Sequence, residues 1–183
     1  MSLSVQNRAE NVATFRFIQV FLMETVARWV PNTPELEVKV VFGRHIWDLA
    51  QQEDALGKRC YELRAPLQSS LRPSESYMAF LEEFAKTSST AEKLHNFYDI
   101  VLPSLAARYK SYVNRTDRLL DEPTVRVMER ILEEFTRMQG ECQQLRSELP
   151  QLRLAEQERL TRLSQLEAAV ADIVAERAVT AVA

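Results

Sequence analysis

Three observations predict an all-α fold. Gly43, Gly57 and Gly140 are the only three glycines in 183 residues, too few for the tight turns of a hairpin-rich β protein. Apolar residues recur at helical rather than strand spacing over long stretches. Those stretches are bounded by Asn, Ser, Thr, Asp and Pro, the residues that start and stop helices. A composition 46% hydrophobic and 8% aromatic suits one domain with a sizeable core.

The first helix is expected to begin near Asn7 to Glu10 and to end before Pro31, with Asn32 and Thr33 turning the chain. Phe15, Ile18, Leu22, Val26 and Trp29 form one apolar stripe. Phe17, Val20, Phe21 and Ala27 form a second, which predicts burial on two sides. Glu24 lies toward that second face and is expected to pair with Arg28, one turn on. A second helix over residues 34 to 63 follows from Thr33 as N-cap, Pro34 at the first helical position and Glu35 and Glu37 in the first turns. Its core stripe is Val38, Phe42, Ile46, Leu49, Leu56, Cys60 and Leu63. The first two helices should pack antiparallel.

Residues 67 to 75 read as a connecting loop, after which Ser74 caps a short crossover helix carrying Tyr77, Phe80, Leu81 and Phe84. The next helix, 91 to 114, aligns Leu94, Phe97, Tyr98, Val101, Leu105, Tyr109 and Tyr112, and Pro103 should kink it. Asp121 and Pro123 open a further helix with Val125, Met128, Ile131, Leu132, Phe135 and Cys142 on its stripe. Gly140 weakens that helix and Pro150 interrupts it.

From Leu149 a step of three and four runs through Leu149, Leu152, Glu156, Arg159, Leu163, Leu166, Val170 and Ile173. This resembles a coiled-coil seam broken by two charges. It predicts a C-terminal amphipathic helix over 149–183 that lies against a helical body of residues 1–148 or pairs with another subunit. A homo-oligomer or a protein partner is therefore expected through that helix.

The 26 acidic and 23 basic residues are scattered and sum to a net charge of −3, so no nucleic-acid surface is expected. The first residues lack the layout of a secretory signal, and no apolar run approaches the ~20 residues that span a bilayer. A cytoplasmic protein with no membrane association is the expectation. Cys60 and Cys142 belong to no CxxC pair and read as reduced core residues.

His45 and Glu53 both fall within the core stripe of the second helix. A carboxylate there must find a partner or become protonated. Being two turns apart, the two residues cannot easily bind one ion alone. They are nevertheless the candidate metal ligands. The alternative is structural: each is satisfied by a neighbouring helix, through an arginine or a tyrosine from the region of Tyr98 or Tyr109.

The stretches FGRHIWDLAQQEDALGKRCYELR and DEPTVRVMERILEEF resemble the second and last core helices of an uncharacterised bacterial ferritin-like family, over residues 8 to 140. The resemblance implies an antiparallel four-helix bundle with a dinuclear iron or manganese site. Such a site takes a Glu from each of two helices and a Glu-x-x-His from each of the others. Phe42 stands where the glutamate before His45 belongs, with Asp48 three residues after it instead, and no histidine accompanies Glu129, Glu133 and Glu134. One Glu-x-x-His occurs, Glu92 to His95, but it lies beside its stripe.

A structural or interaction protein with a degenerate metal site is thus the leading expectation. A non-haem iron- or manganese-dependent oxidoreductase is the alternative. Nucleophilic catalysis lacks a locally paired Ser or Cys and a phosphate-cradling loop.

Overall fold

The computed structural model describes residues 3–154 and 162–174, all helical or irregular, with no strand among them. Helix α1 spans Val5–Trp29, with Ser4 as N-cap accepting from the Asn7 amide. Helix α2 spans Leu36–Glu62 and starts later than its signals predict. The Thr33 hydroxyl turns back to donate to the Trp29 carbonyl (2.8 Å) and accepts from the buried Lys93 ammonium (3.3 Å), so Thr33 closes α1 instead of capping α2. Glu35 takes the cap position without a side-chain bond to the backbone.

Helix α3 spans Glu75–Ala85 behind Ser74, whose hydroxyl accepts from the Tyr77 amide as expected of an N-cap. One continuous helical run then comprises α4 (Thr90–His95), a π-segment (Asn96–Val101) and α5 (Leu102–Arg115). Pro103 has no N–H to donate to the Asp99 carbonyl, and its ring crowds that carbonyl. The wider π turn just before it takes up the misfit, so the expected kink appears as a local change of pitch. Helix α6 spans Glu122–Glu148; it passes through Gly140 unbroken and stops before Pro150.

Side-chain pairs give the directions. Trp29 meets Phe42 while Arg16 meets Glu53, so α1 and α2 are antiparallel. Arg59 meets Thr124 while Gln52 meets Glu134, which makes α2 and α6 antiparallel too. Gln19 meets Tyr109 and Arg8 reaches Leu120, setting α5 against α1. Tyr109 stacks on Phe135 and Arg146 pairs with Asp99, setting the α4–α5 run against α6. It follows that α2 and α5 run the same way, and the chain between them must cross the length of the molecule. Residues 63–89, including α3, make that crossing.

The shared interior holds Phe15, Ile18, Leu22, Phe42, Leu49, Leu105, Met128 and Phe135, all at most 1% exposed. The second stripe of α1 is only partly covered: Phe17, Val20 and Phe21 are half-buried and Ala27 is exposed, because no helix among the described residues packs squarely on that side. Glu24 and Arg28 pair there at 3.5 Å.

The C-terminal seam is used within the chain. A 3-10 turn (Pro150–Leu152) replaces the start of the predicted helix, and among the described residues helix α7 spans Arg162–Ala168. Leu163 and Ile173 are buried and Leu166 and Val170 half-buried. Helix α7 packs on α3 and the π-segment. Glu167 takes Arg108 at 3.0 Å, and Ser74 is held by the carbonyls of Asp172 and Ile173. Glu156 and Arg159 lie outside the described residues. Among the described residues no helix is long and apolar enough to cross a membrane.

Candidate functional site

His45 points from α2 into the interior and is fully buried. Its Nδ1 lies 2.6 Å from the Tyr98 hydroxyl on the π-segment, and its Nε2 lies 3.2 Å from Glu141 Oε2 on α6. A neutral imidazole satisfies both contacts in one arrangement: the Tyr98 O–H donates to Nδ1, and Nε2–H donates to the carboxylate. Burial pushes His45 below its ordinary value, with the Glu141 charge opposing the shift. Burial likewise raises the Tyr98 phenol well above its usual range. Burial pushes Glu141 up, but the Arg137 hydrogen bond and the neighbouring His45 and Arg44 together hold its carboxyl below the usual range.

The outer half of this cluster is a charged lattice. Arg137 reaches Glu141 and Asp48, each at 2.6 Å, and Arg44 lies 3.4 Å from Glu141. His45, Asp48 and Glu141 lie in one cluster, and the guanidinium of Arg137 already sits between the two carboxylates. Glu141 also forms part of a groove of about 480 Å3 between α2 and α6, walled by Leu36, Val40, Val41 and Leu145. Tyr98, His45 and Glu141 thus run from the interior to that groove. The chain of contacts ties three helical segments together.

Glu53 takes a different partner on a different helix. Its Oε2 is 2.7 Å from Arg16 Nη2 of α1. Arg16 also donates to the Gln68 side chain (2.8 Å) and carbonyl (2.9 Å), which pins the loop after α2. The structure therefore does not bring His45 and Glu53 to one centre. Gln68 occupies the left-handed region at φ 59° and lies over Gly57, where an added Cβ would meet its Oε1 at 2.0 Å. Gly57→Ala is expected to push the Gln68 side chain off Arg16, a loss that offsets the ~1 kcal/mol an alanine gains inside a helix and leaves the variant no more stable than the wild type. Gly43→Ala, where nothing lies within 4 Å, should instead stabilise by up to about 1 kcal/mol. Urea denaturation of both variants checks the contrast, and equal midpoints would refute it.

The Glu92-x-x-His95 pair is also structural. Glu92 is bound to its N-cap Ser89: the Glu92 amide donates to Ser89 Oγ (3.3 Å), and the Ser89 hydroxyl donates to the Glu92 carboxylate (2.7 Å). His95 Nδ1 lies 2.8 Å from Asp99. On α6, Glu129 pairs with Arg118, Glu134 takes Gln52 and Arg130, and Glu133 is exposed.

Midway along the bundle, the buried Gln19 amide donates to the Tyr109 hydroxyl at 2.9 Å, and the Tyr109 ring stacks on Phe135 at 5.9 Å. Burial pushes the Cys60 thiol up to about 11 and that of Cys142 up to about 12, so both remain protonated core residues. Among the described residues no group of three or more His, Cys, Asp or Glu side chains is arranged to hold a metal ion.

Sequence reasoning missed Glu141 and Arg137, which lie one to two turns beyond the acidic cluster of α6. It also missed Asp121, which is more than an opening residue. That buried carboxylate accepts from Tyr112 (2.7 Å), Thr116 (2.8 Å), Thr124 and Arg59 (3.1 Å).

Comparison with known proteins found no matching family model, no matching curated protein and no matching solved structure.

Proposed function

We propose that this chain is a structural or interaction protein of ferritin-like architecture whose interior has been rebuilt without a metal centre. The architecture is supported by the direction of the helices: α2 and α5 run parallel and are joined by one long crossover, the connectivity that ferritin-like bundles use. The observation that carries the functional reading is the middle layer. Where such bundles project carboxylates and histidines inward, this one places the neutral Gln19–Tyr109 pair against Phe135. An amide, a phenol held protonated by burial and a phenyl ring are poor donors for iron or manganese. The group that the resemblance implies therefore does not fit these residues.

The oxidoreductase reading would need His45 to recruit Asp48 and Glu141, but Arg137 supplies the positive charge between them. Expression with added iron and manganese, followed by elemental analysis of the purified protein, tests the proposal. Substoichiometric metal is expected. About two ions per chain, both lost on His45→Ala, would overturn the proposal in favour of a metal-dependent oxidoreductase.

A further inference from the structure

One end of the bundle, where α1 begins, α2 ends and α5 turns into α6, exposes apolar side chains on a fixed backbone. Leu119 is 86% exposed and Leu120 68%. Loose chain does not account for this. Asp117 Oδ1 accepts from the amides of both leucines, at 2.9 and 3.0 Å, and Arg8 donates to the Leu120 carbonyl at 3.3 Å. The buried Asp121 network anchors the next residue. Holding two leucines in water costs free energy that a monomer does not recover.

Around the first turns of α1 from this tip lies a groove of about 420 Å3 with Ala9, Ala13, Leu63 and Leu71 in its walls and Glu10 and Arg64 at its edge. We propose that a second copy of this chain docks here, the Leu119–Leu120 tip of each copy seating in the groove of the other about a two-fold axis. Tip and groove flank the same helix start, which lets one rotation satisfy both contacts at once, as a closed isologous pair requires.

The charges match. Glu10 and Arg64 at the groove take no ion pair among the described residues, and neither do Arg115 and Asp117 beside the tip. The groove edge thus offers one acid and one base, and the tip offers one base and one acid, so opposite signs are available to each other across the axis. Val5, Tyr61 and Leu67, each at least half exposed, extend the apolar surface at this end toward the ~1,000 Å2 that a specific interface needs. A membrane-inserting tip favours a uniformly basic rim, whereas this one carries both signs. The proposal goes beyond the metal-free reading, and a mass measurement and a metal measurement fail independently.

Sedimentation velocity of the full chain at tens of micromolar tests it. The wild type is expected to sediment as a dimer, and L119S/L120S and V5E each as a monomer. Both variants change exposed positions, and circular dichroism should report unchanged helicity and melting. A mixture of the two variants retains one intact tip and one intact groove and is expected to recover a dimer that neither forms alone. A monomeric wild type overturns the proposal, as does a dimer indifferent to L119S/L120S. A monomer that co-sediments with phosphatidylserine–phosphatidylcholine vesicles through its leucines also overturns it, assigning the tip to membranes instead.

Discussion

Asp121→Ala is expected to destabilise the protein by roughly 3–5 kcal/mol, the cost of breaking a buried charged network from one side. Asp121 is fully buried, and its two oxygens receive Arg59 of α2, Tyr112 of α5, Thr116 just after it and Thr124 of α6. Alanine removes the acceptor of three hydroxyls and leaves the buried Arg59 guanidinium with Glu62 as its remaining carboxylate partner. Differential scanning calorimetry should show a large fall in Tm, and a change of a degree or two would refute the assignment. The acid limb gives an independent reading. Burial pushes Asp121 up, but its four hydrogen bonds hold the carboxyl below its ordinary 3.8. A depressed carboxylate contributes stability that is complete above 3.8 and is lost as pH falls through the lower folded value. The wild type should therefore lose stability steeply below about pH 4, and the variant less so.

The second large effect is a separate loss at milder acidity, caused by His45. Its folded value lies below the ordinary 6.5 because burial disfavours the imidazolium. The native state then binds fewer protons than the unfolded chain between those two values. Stability from this residue is complete above 6.5 and declines as pH drops toward the folded value, by about 1.4 kcal/mol per unit at most. His45→Gln keeps an acceptor for Tyr98 and a donor for Glu141 without the titration. Urea midpoints between pH 7.5 and 5.5 should slope for the wild type and flatten for the variant. Parallel slopes would show that His45 does not titrate across folding.

Both effects rest on partners that the sequence reveals unevenly. Helices, their stripes and several caps were legible because they are local: Ser74 caps α3, Pro123 opens α6, and the α1–α2 pair follows from the turn at residues 30–35. Thr33 was misread because the same hydroxyl that caps a helix can close the one before it, and Lys93, sixty residues away, decides between the two. The tyrosine partner of His45 was foreseeable from the stripe of residues 91 to 114. Glu141 was not, because a lone glutamate amid the charges of α6 looks like any solvated one. Glu92 was the reverse case, a residue with a metal-motif spacing whose chemistry is that of Ser-x-x-Glu. The seam beyond Leu149 was legible as apolar, but periodicity does not say whether the surface it covers belongs to the same chain.

The contact that anchors that seam bears on the order in which the molecule is assembled. The Ser74 hydroxyl and amide are held by the carbonyls of Asp172 and Ile173, and that hydroxyl bond joins residues 98 apart. The α1–α2 pair closes over a short turn, and loop-closure entropy rises with the length enclosed. During synthesis the first two helices can dock while the rest of the chain is still being made, but the crossover receives its fastening only once residues 172 and 173 have emerged. The start of α3 therefore stays incompletely held until Asp172 and Ile173 dock, so a segment made about a hundred residues later acts as the clasp that closes over it.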